Sequence, residues 1–188
     1  MNKDLNFYIR VDKGVIDKKI CNQTIKELKK DKDFKKHLFH DNIKNTYTTR
    51  VKKELSISVT EPSTFKSIMA SLHGSIGDYV EYINSKNFST WSGYSGVRFN
   101  RYNKGEWMAP HCDHIQDLFD GDIKGIPILS IVGLLNDDFT GGEFMFFNEK
   151  IIDLKQGDVL IFPSNFLYPH GVQPVTKGCR YSFVSWVY

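Results

Sequence analysis

From about residue 91 onwards, the chain is a series of short runs of β-branched and aromatic residues, each closed by a turn. The runs include GVRFNRY, IPILSIVGLL, DVLIF and RYSFVSWVY, and the turns between them include TGG, QGD, PSN and TKG. Several short strands at close spacing, separated by such turns, are typical of a β-sandwich or barrel. The pattern therefore predicts a jelly-roll of about eight strands.

The N-terminal part of the chain has a different pattern. Apolar residues recur with helical period in 15–30 and again in 62–84, whereas VKKELSISV alternates like a strand. With 188 residues and 40% hydrophobic content, the chain can fill one core. We expect a mainly β fold with supporting N-terminal helices. It would form a single domain over 1–188, in which 1–90 is a helical support region and 91–188 is the jelly-roll core.

Charge and cysteine content restrict the class of partner. The net charge is +3, but residues 1–60 carry 15 Lys/Arg against 8 Asp/Glu. The basic run 26–37 is interpreted as the solvated face of a helix, and contact with nucleic acid is the less favoured alternative. Three scattered cysteines, no apolar leader at the start and no long apolar run favour a cytoplasmic protein with no membrane association.

The segment PHCDH at 110–114 contains four side chains that can bind a metal. If 107–113 forms a strand, His111 and Asp113 point to one face, and Cys112 and His114 to the other. The pair His111 and Asp113 would then supply two ligands. His114 is predicted not to be a ligand.

A third ligand must come from a distant part of the chain. His37 and His40 are predicted to be surface residues of the basic helix, and His73 is predicted to be structural within the second helix. His170, in LYPHGVQPV of the β-rich half, remains. Two histidines and one carboxylate are typical of non-haem Fe(II) oxygen chemistry, although a zinc hydrolase site or a mere surface pair His111–Asp113 is also compatible with these residues.

The segment HGVQPVTKGCRYS places Arg180 ten residues after His170, with a turn between them. Folded as a hairpin about residue 175, the two would lie opposite each other on neighbouring strands. A buried guanidinium requires an anionic partner, and the carboxylate of a 2-oxo acid would serve. Ser182, on the same face, could add a hydroxyl donor. The alternative is that Arg180 is an ordinary surface residue of the last strand.

Over residues 97–188 the sequence resembles the Fe(II)/2-oxoglutarate-dependent dioxygenases, most closely the prolyl 4-hydroxylase-like branch. Four segments carry the resemblance: RYNKGEWMAPHCDH, LNDDFTGGEFMFF, LKQGDVLIFPSNFLYPHGVQPVTKG and RYSFVSWVY. It implies a double-stranded β-helix, with Fe(II), 2-oxoglutarate and O₂ as cofactors and ascorbate as a candidate supporting reductant. The implied site residues are His111, Asp113 and His170 for iron, Arg180, Tyr102 and Ser182 for 2-oxoglutarate, and Trp186 for the substrate pocket.

The resemblance implies hydroxylation of a C–H bond with release of succinate and CO₂. The preferred substrate is a peptidyl side chain such as proline, and the expected partner is therefore a peptide or protein. One alternative is nucleic-acid demethylation; that branch carries a second arginine six residues after the first, where this chain has Trp186. Another is a non-catalytic metal-binding jelly-roll. Many prolyl 4-hydroxylases carry lysine at the position of Arg180. The segment GIPILSIVGLLND also lacks the basic residue and threonine that are usual in this strand of the family.

Two further expectations concern the rim of the pocket. The glycine pair Gly141–Gly142 and the loops 85–96 and 114–126 are candidate rim or lid elements. Acidic residues there would favour neutral or basic substrates. These acidic residues are Asp117, Asp120, Asp122, Asp137 and Asp138.

Overall fold

The structure is a computed structural model that describes residues 4–41, 44–84, 91–113 and 127–188. A 3₁₀ turn spans Leu5–Tyr8, helix α1 spans Lys18–Leu28 and helix α2 spans Phe65–Ile83. The strands are β1 Arg10–Asp12, β2 Lys35–Lys36, β3 Phe39–Asp41, β4 Thr46–Thr48, β5 Ser56–Ser58, β6 Arg98–Tyr102, β7 Met108–His111, β8 Leu129–Leu134, β9 Thr140–Gly141, β10 Phe144–Phe146, β11 Lys150–Ile152, β12 Val159–Pro163, β13 His170–Val172, β14 Val175–Lys177 and β15 Arg180–Val187.

Two antiparallel sheets face each other, which confirms the predicted jelly-roll. The major sheet has seven strands in the order β1-β12-β8-β15-β6-β5-β2, and the minor sheet has four in the order β11-β10-β13-β7. Two short pairs, β14-β9 and β3-β4, complete the described strands. The longest strand, β15, lies at the centre of the major sheet between β8 and β6.

The alternation of side chains along β15 separates two cores. One face carries Tyr181, Phe183 and Val187, which join the cluster under the helices. The other face carries Arg180, Ser182, Val184 and Trp186, which point between the two sheets, where the second cluster lies. Arg180 and Ser182 therefore line the interior of the jelly-roll, and Tyr181 and Phe183 pack under the helices.

Both predicted helices are present, and each buries one stripe against the major sheet. In α2 the buried residues Ile68, Leu72, Ile76 and Tyr79 recur every three or four positions. Helix α1 begins after Asp17, whose carboxylate accepts a hydrogen bond from the backbone N–H of Lys19. Neither described helix is long and apolar enough to cross a membrane.

The predicted basic helix over 26–37 is wrong, because α1 ends at Leu28 and Lys35–Lys36 form β2. His37 is only 7% exposed and is not a surface residue, while His40 lies in strand β3. The first 90 residues also supply β1, β2 and β5 to the major sheet, in addition to helices.

Candidate metal and 2-oxoglutarate site

All three predicted ligands meet in the space between the sheets. His111 ends β7 and His170 begins β13, and the two are direct cross-strand partners whose rings lie 4.4 Å apart. Asp113 follows two residues after the strand ends, and its Oδ1 lies 3.2 Å from His111 Nε2 and 3.7 Å from His170 Nε2. One ligand atom from each residue lies within 4.8 Å of the others, so a single metal ion can contact all three.

The backbone fixes which nitrogen of each histidine is free. His111 Nδ1 lies 2.9 Å from the carbonyl oxygen of Ala109, and His170 Nδ1 lies 3.0 Å from that of Tyr168. Each Nδ1–H can donate to its carbonyl, which leaves the Nε2 lone pair directed at the site. This outer hydrogen bond is the arrangement that metal-binding histidines usually show.

Asp113 is held by a set of hydrogen bonds on its other oxygen. Oδ2 accepts from Trp186 Nε1 at 3.0 Å and from Ser130 Oγ at 2.8 Å. The hydroxyl of Ser164 lies 2.9 Å from the Asp113 carbonyl oxygen and 2.9 Å from Ser130 Oγ. The sequence-based interpretation gave Trp186 a place in the pocket wall, and the structure adds a bond from it to a ligand. Ser130 and Ser164 were missed, because no local spacing connects them to PHCDH.

The protonation states suit metal binding. Burial alone would raise the pKa of the Asp113 carboxyl, but His170, His111 and Trp186 together lower it below its usual range. Burial lowers the pKa of His170 to about 4, against the opposing effect of Asp113. A neutral imidazole beside an ionised carboxylate is the form in which these groups bind a metal.

Arg180 lies deeper in the same space and is 1% exposed. Its Nη1 donates to Ser182 Oγ at 2.7 Å, its Nε has no partner, and its guanidinium carbon lies 5.0 Å from the centre of the Tyr102 ring. Among the described residues, no carboxylate forms an ion pair with it. A buried cation with an unused donor and a neighbouring hydroxyl is suited to an anionic ligand.

The predicted hairpin register is wrong, although both side chains do reach the site. His170 lies in the minor sheet, paired with β10 and β7, whereas Arg180 lies in the major sheet, opposite Tyr102 of β6. They therefore face each other across the jelly-roll. A separation of ten positions permits either arrangement, because the strand between them, β14, pairs with β9.

Gly142, which was expected only as a rim or lid residue, also makes room for Arg180 in the site. Its φ is +68°, and a Cβ there would lie 3.1 Å from Cδ of Arg180 and 3.0 Å from Cγ2 of Val175. Absence of a side chain at this position therefore makes room for the arginine. Of the loops expected at the rim, 85–90 and 114–126 lie outside the described residues, as does His114. Trp91 and Tyr94 pack on the helix-facing core instead.

Only two of the five aspartates expected at an acidic rim lie among the described residues. Asp137 and Asp138 line a groove beside α1, together with Lys26, Lys29 and Lys30. Asp137 also lines a second cavity, which Arg180 shares. The other three aspartates, Asp117, Asp120 and Asp122, lie outside the described residues.

Two further polar side chains line the site. Arg98 and Asn100 share the interior face of β6 with Tyr102 and line the same cavity as the three candidate ligands. Arg98 Nε and Asn100 Oδ1 are both buried without a hydrogen-bond partner. The alternation of side chains along RFNRY predicts that they share a face with Tyr102. Only the positions of the neighbouring strands show that this face lines the cavity.

Comparison with known proteins agrees with this geometry. Residues 97–188 match the model of the 2OG-Fe(II) oxygenase superfamily. A PKHD-type hydroxylase from Idiomarina loihiensis is 38% identical over 94 residues, which are 48% of this chain and 41% of the relative. The chain thus spans about two fifths of the length of that curated relative.

Solved structures share the fold at low identity. A Trichoplax adhaerens prolyl hydroxylase, solved with a peptide fragment of the hypoxia inducible factor oxygen degradation domain, has a TM-score of 0.72 and 17% identity, covering 98% of this chain and 85% of that one. The viral collagen prolyl hydroxylase of Paramecium Bursaria Chlorella virus-1, solved with 2-oxoglutarate, has a TM-score of 0.64 and 16% identity, covering 96% and 94%. Residues 97–188 thus match the 2OG-Fe(II) oxygenase superfamily over just under half of the chain, and the resemblance to the prolyl 4-hydroxylase-like branch is confirmed.

Proposed function

We propose that this protein is an Fe(II)- and 2-oxoglutarate-dependent oxygenase that hydroxylates a C–H bond, with a peptidyl side chain such as proline as the first substrate class to test. The observation that carries the proposal is the convergence of His111, Asp113 and His170 in one cavity with the buried, unpaired Arg180. A metal-binding triad alone is compatible with several kinds of metalloprotein, and a buried arginine alone with many anions. Together the two features match the needs of both cofactors.

The donor set fits Fe(II). Two imidazole nitrogens and one carboxylate oxygen on adjacent positions leave the other coordination positions open for co-substrates, as in non-haem Fe(II) oxygenases. A structural zinc site would close four positions with protein ligands, and no fourth His, Cys, Asp or Glu joins the group in the part of the chain that the structure describes. When bound, Fe(II), 2-oxoglutarate and O₂ would supply the oxidation that inserts one oxygen atom into the substrate C–H bond and leaves succinate and CO₂.

The residues around Arg180 fit the far carboxylate of 2-oxoglutarate. Arg180 offers the guanidinium, Ser182 adds a hydroxyl and Tyr102 covers one face. Apolar side chains from both sheets, Val132, Phe144, Val172 and Val184, complete the walls and would keep water from the charged pair. The role of the protein is thus to place both cofactors and to exclude water.

The peptide substrate is supported by likeness alone. Fold neighbours include prolyl hydroxylases, one of them solved with a peptide. Trp186, at the position where nucleic-acid demethylases of this class carry a second arginine, donates to Asp113 and lies close to the metal ligands. No feature of the described residues favours demethylation, since the lysines beside α1 share their groove with Asp137 and Asp138.

The test is turnover with mass detection. The protein would be incubated with Fe(II), 2-oxoglutarate, O₂ and ascorbate, together with a panel of proline-containing peptides, free amino acids and methylated oligonucleotides. We expect succinate and a peptide heavier by one oxygen atom, and neither with Asp113→Asn in place of the parent. Loss of a methyl group from an oligonucleotide would identify a demethylase. Absence of 2-oxoglutarate binding by the anaerobic Fe(II) protein would indicate a binding module.

A further inference from the structure

The cavity contains a second arginine, Arg98, that the proposed cofactors leave unused. It projects from the same face of β6 as Tyr102 but four residues earlier, which at about 3.3 Å per residue is roughly 13 Å along the strand. Tyr102 is paired with Arg180, whereas Arg98 is paired with Val184. The two guanidinium groups therefore stand at opposite ends of the cavity, and a ligand carboxylate held by Arg180 leaves Arg98 available.

The neighbours of Arg98 place it beside the metal ligands. Its guanidinium carbon lies 5.1 Å from the centre of the Trp186 ring, and the indole N–H of that residue donates to Asp113. Arg98 thus lies one side chain away from the carboxylate that would bind the metal. Asp113 itself is already occupied, since Oδ1 faces the two histidines and Oδ2 accepts two hydrogen bonds.

Arg98 is half-buried, and the charge of Asp113 favours its charged form without a direct ion pair. Its Nε is buried without a partner, and it forms no ion pair with a carboxylate of the described ranges. Next to it on the same face, Asn100 is 2% exposed and has an unpartnered Oδ1. A desolvated N–H of a cation without a hydrogen-bond partner is costly, and an anionic ligand would remove that cost.

A second cation lies on the same side of the metal site. The guanidinium of Arg50 lies 4.3 Å from the centre of the Phe39 ring, and that ring lies 5.5 Å from His111. Arg50 is exposed, so it adds positive electrostatic potential near the site and is not expected to bind the ligand directly. Arg98 and Arg50 together favour an anion at this end of the cavity.

We infer that Arg98 binds a carboxylate of the substrate, so that this protein selects substrates with a carboxylate a few bonds from the oxidised carbon. The inference rests on the proposed function and narrows its substrate class. It is the opposite of the expectation of neutral or basic substrates, which came from five aspartates of which the structure describes Asp137 and Asp138. The carboxylate can come from a free amino acid, from the C-terminus of a peptide or from an acidic side chain.

The test compares matched carboxylate and carboxamide probes. Protein loaded with Mn(II) and 2-oxoglutarate, which does not turn over, would be titrated with each probe, and binding followed by paramagnetic broadening of the probe's proton NMR signals. One arm uses free amino acids and their amides, a second uses tripeptides with free or amidated C-termini, and a third uses blocked peptides that differ by Asp or Asn. We expect at least one carboxylate to bind about tenfold or more tightly than its amide, the factor of one charge-assisted hydrogen bond. The arm in which this preference is found identifies whether the carboxylate belongs to an amino acid, a peptide C-terminus or an acidic side chain.

The variants assign the preference to Arg98. Arg98→Gln should remove it and Arg98→Lys should keep part of it, because the charge survives without the planar fork. Arg101→Gln is the matched control, since Arg101 lies on the opposite face of β6, 4.0 Å from the Phe34 ring, and should leave the preference unchanged. Retained thermal melting and 2-oxoglutarate binding would show that each variant is folded.

Three results would overturn the inference. These are the absence of any difference between carboxylate and amide probes, a preference that survives in Arg98→Gln, and a tenfold loss of 2-oxoglutarate affinity in Arg98→Gln. The last would assign Arg98 to the cofactor. If the parent does not bind 2-oxoglutarate at all, the proposed function itself fails, and that outcome is distinguishable because it precedes any probe.

Discussion

Replacing Arg180 should weaken 2-oxoglutarate binding and leave the metal site intact. The guanidinium is 1% exposed, donates once to Ser182 and keeps an unpartnered Nε, so at least one donor is available to a ligand. A hydrogen bond to a charged group contributes about 1.5–3 kcal/mol. Since about 1.4 kcal/mol is a factor of ten, Arg180→Ala should raise the dissociation constant for 2-oxoglutarate at least about tenfold.

The tenfold figure counts the loss of one hydrogen bond, and one effect opposes it. Removing Arg180 also removes the cost of burying an unpaired cation in the free protein, which stabilises the unliganded state of the variant. Arg180→Lys should therefore fall between the parent and Arg180→Ala, since it keeps the charge but cannot offer two parallel donors. Metal affinity should change little, because Arg180 is not a ligand.

The assay is an anaerobic titration of the Fe(II) protein with 2-oxoglutarate, followed by the visible absorption of the iron chelate. Arg101→Gln, on the other face of the sheet, serves as the control for loss of an arginine from this region. If Arg180→Ala binds 2-oxoglutarate as tightly as the parent, the assignment is refuted. Arg98, which lines the same cavity, then becomes the candidate.

Three more predictions concern the metal ligands and the acid sensitivity of the fold. His111→Ala should lose most Fe(II) binding and His114→Ala should keep it, as measured by metal titration; equal loss would refute the assignment of ligands. Trp186→Phe should weaken metal binding about 10- to 100-fold, because Asp113 loses an orienting hydrogen bond. Unchanged affinity would show that this hydrogen bond does not contribute to metal binding. Burial, Arg98 and other neighbours lower the pKa of His37 to about 3, so the unfolded chain takes up a proton below about pH 6.5 that the folded one refuses. Stability should therefore fall by about 2 kcal/mol from pH 7 to pH 5 through this group, and urea unfolding of His37→Gln should show a correspondingly smaller pH dependence.

The three candidate metal ligands could be grouped from the sequence largely because the signal of His111 and Asp113 is local. His111 and Asp113 stand two residues apart, and few other histidines competed for the third place. The helix periods were equally local, and α2 was found within a few residues of its bounds. By contrast, the run 26–37 has helix-forming residues but no apolar stripe beyond Leu28, and pairing with β5 decides its second half.

The remainder of the site depends on which strands face each other. Ser130 and Ser164 support Asp113 from 17 and 51 residues away, and nothing in their own surroundings indicates it. Arg98 looks like any polar residue of a half-buried strand until β15 is placed beside it. The wrong hairpin had the same cause, because the separation of His170 and Arg180 does not specify the sheet to which each belongs.

The central place of β15 in the major sheet also constrains the order in which the fold can form. This strand is the last of the described strands, yet both β8 and β6 need it as a partner, and they begin about 50 and 80 residues earlier. Contacts of such sequence separation must overcome loop-closure entropy before they contribute stability, which slows folding. Until β15 arrives, two strand edges stay open to other chains, so during synthesis the emerging polypeptide is at its most aggregation-prone just before Arg180 leaves the ribosome.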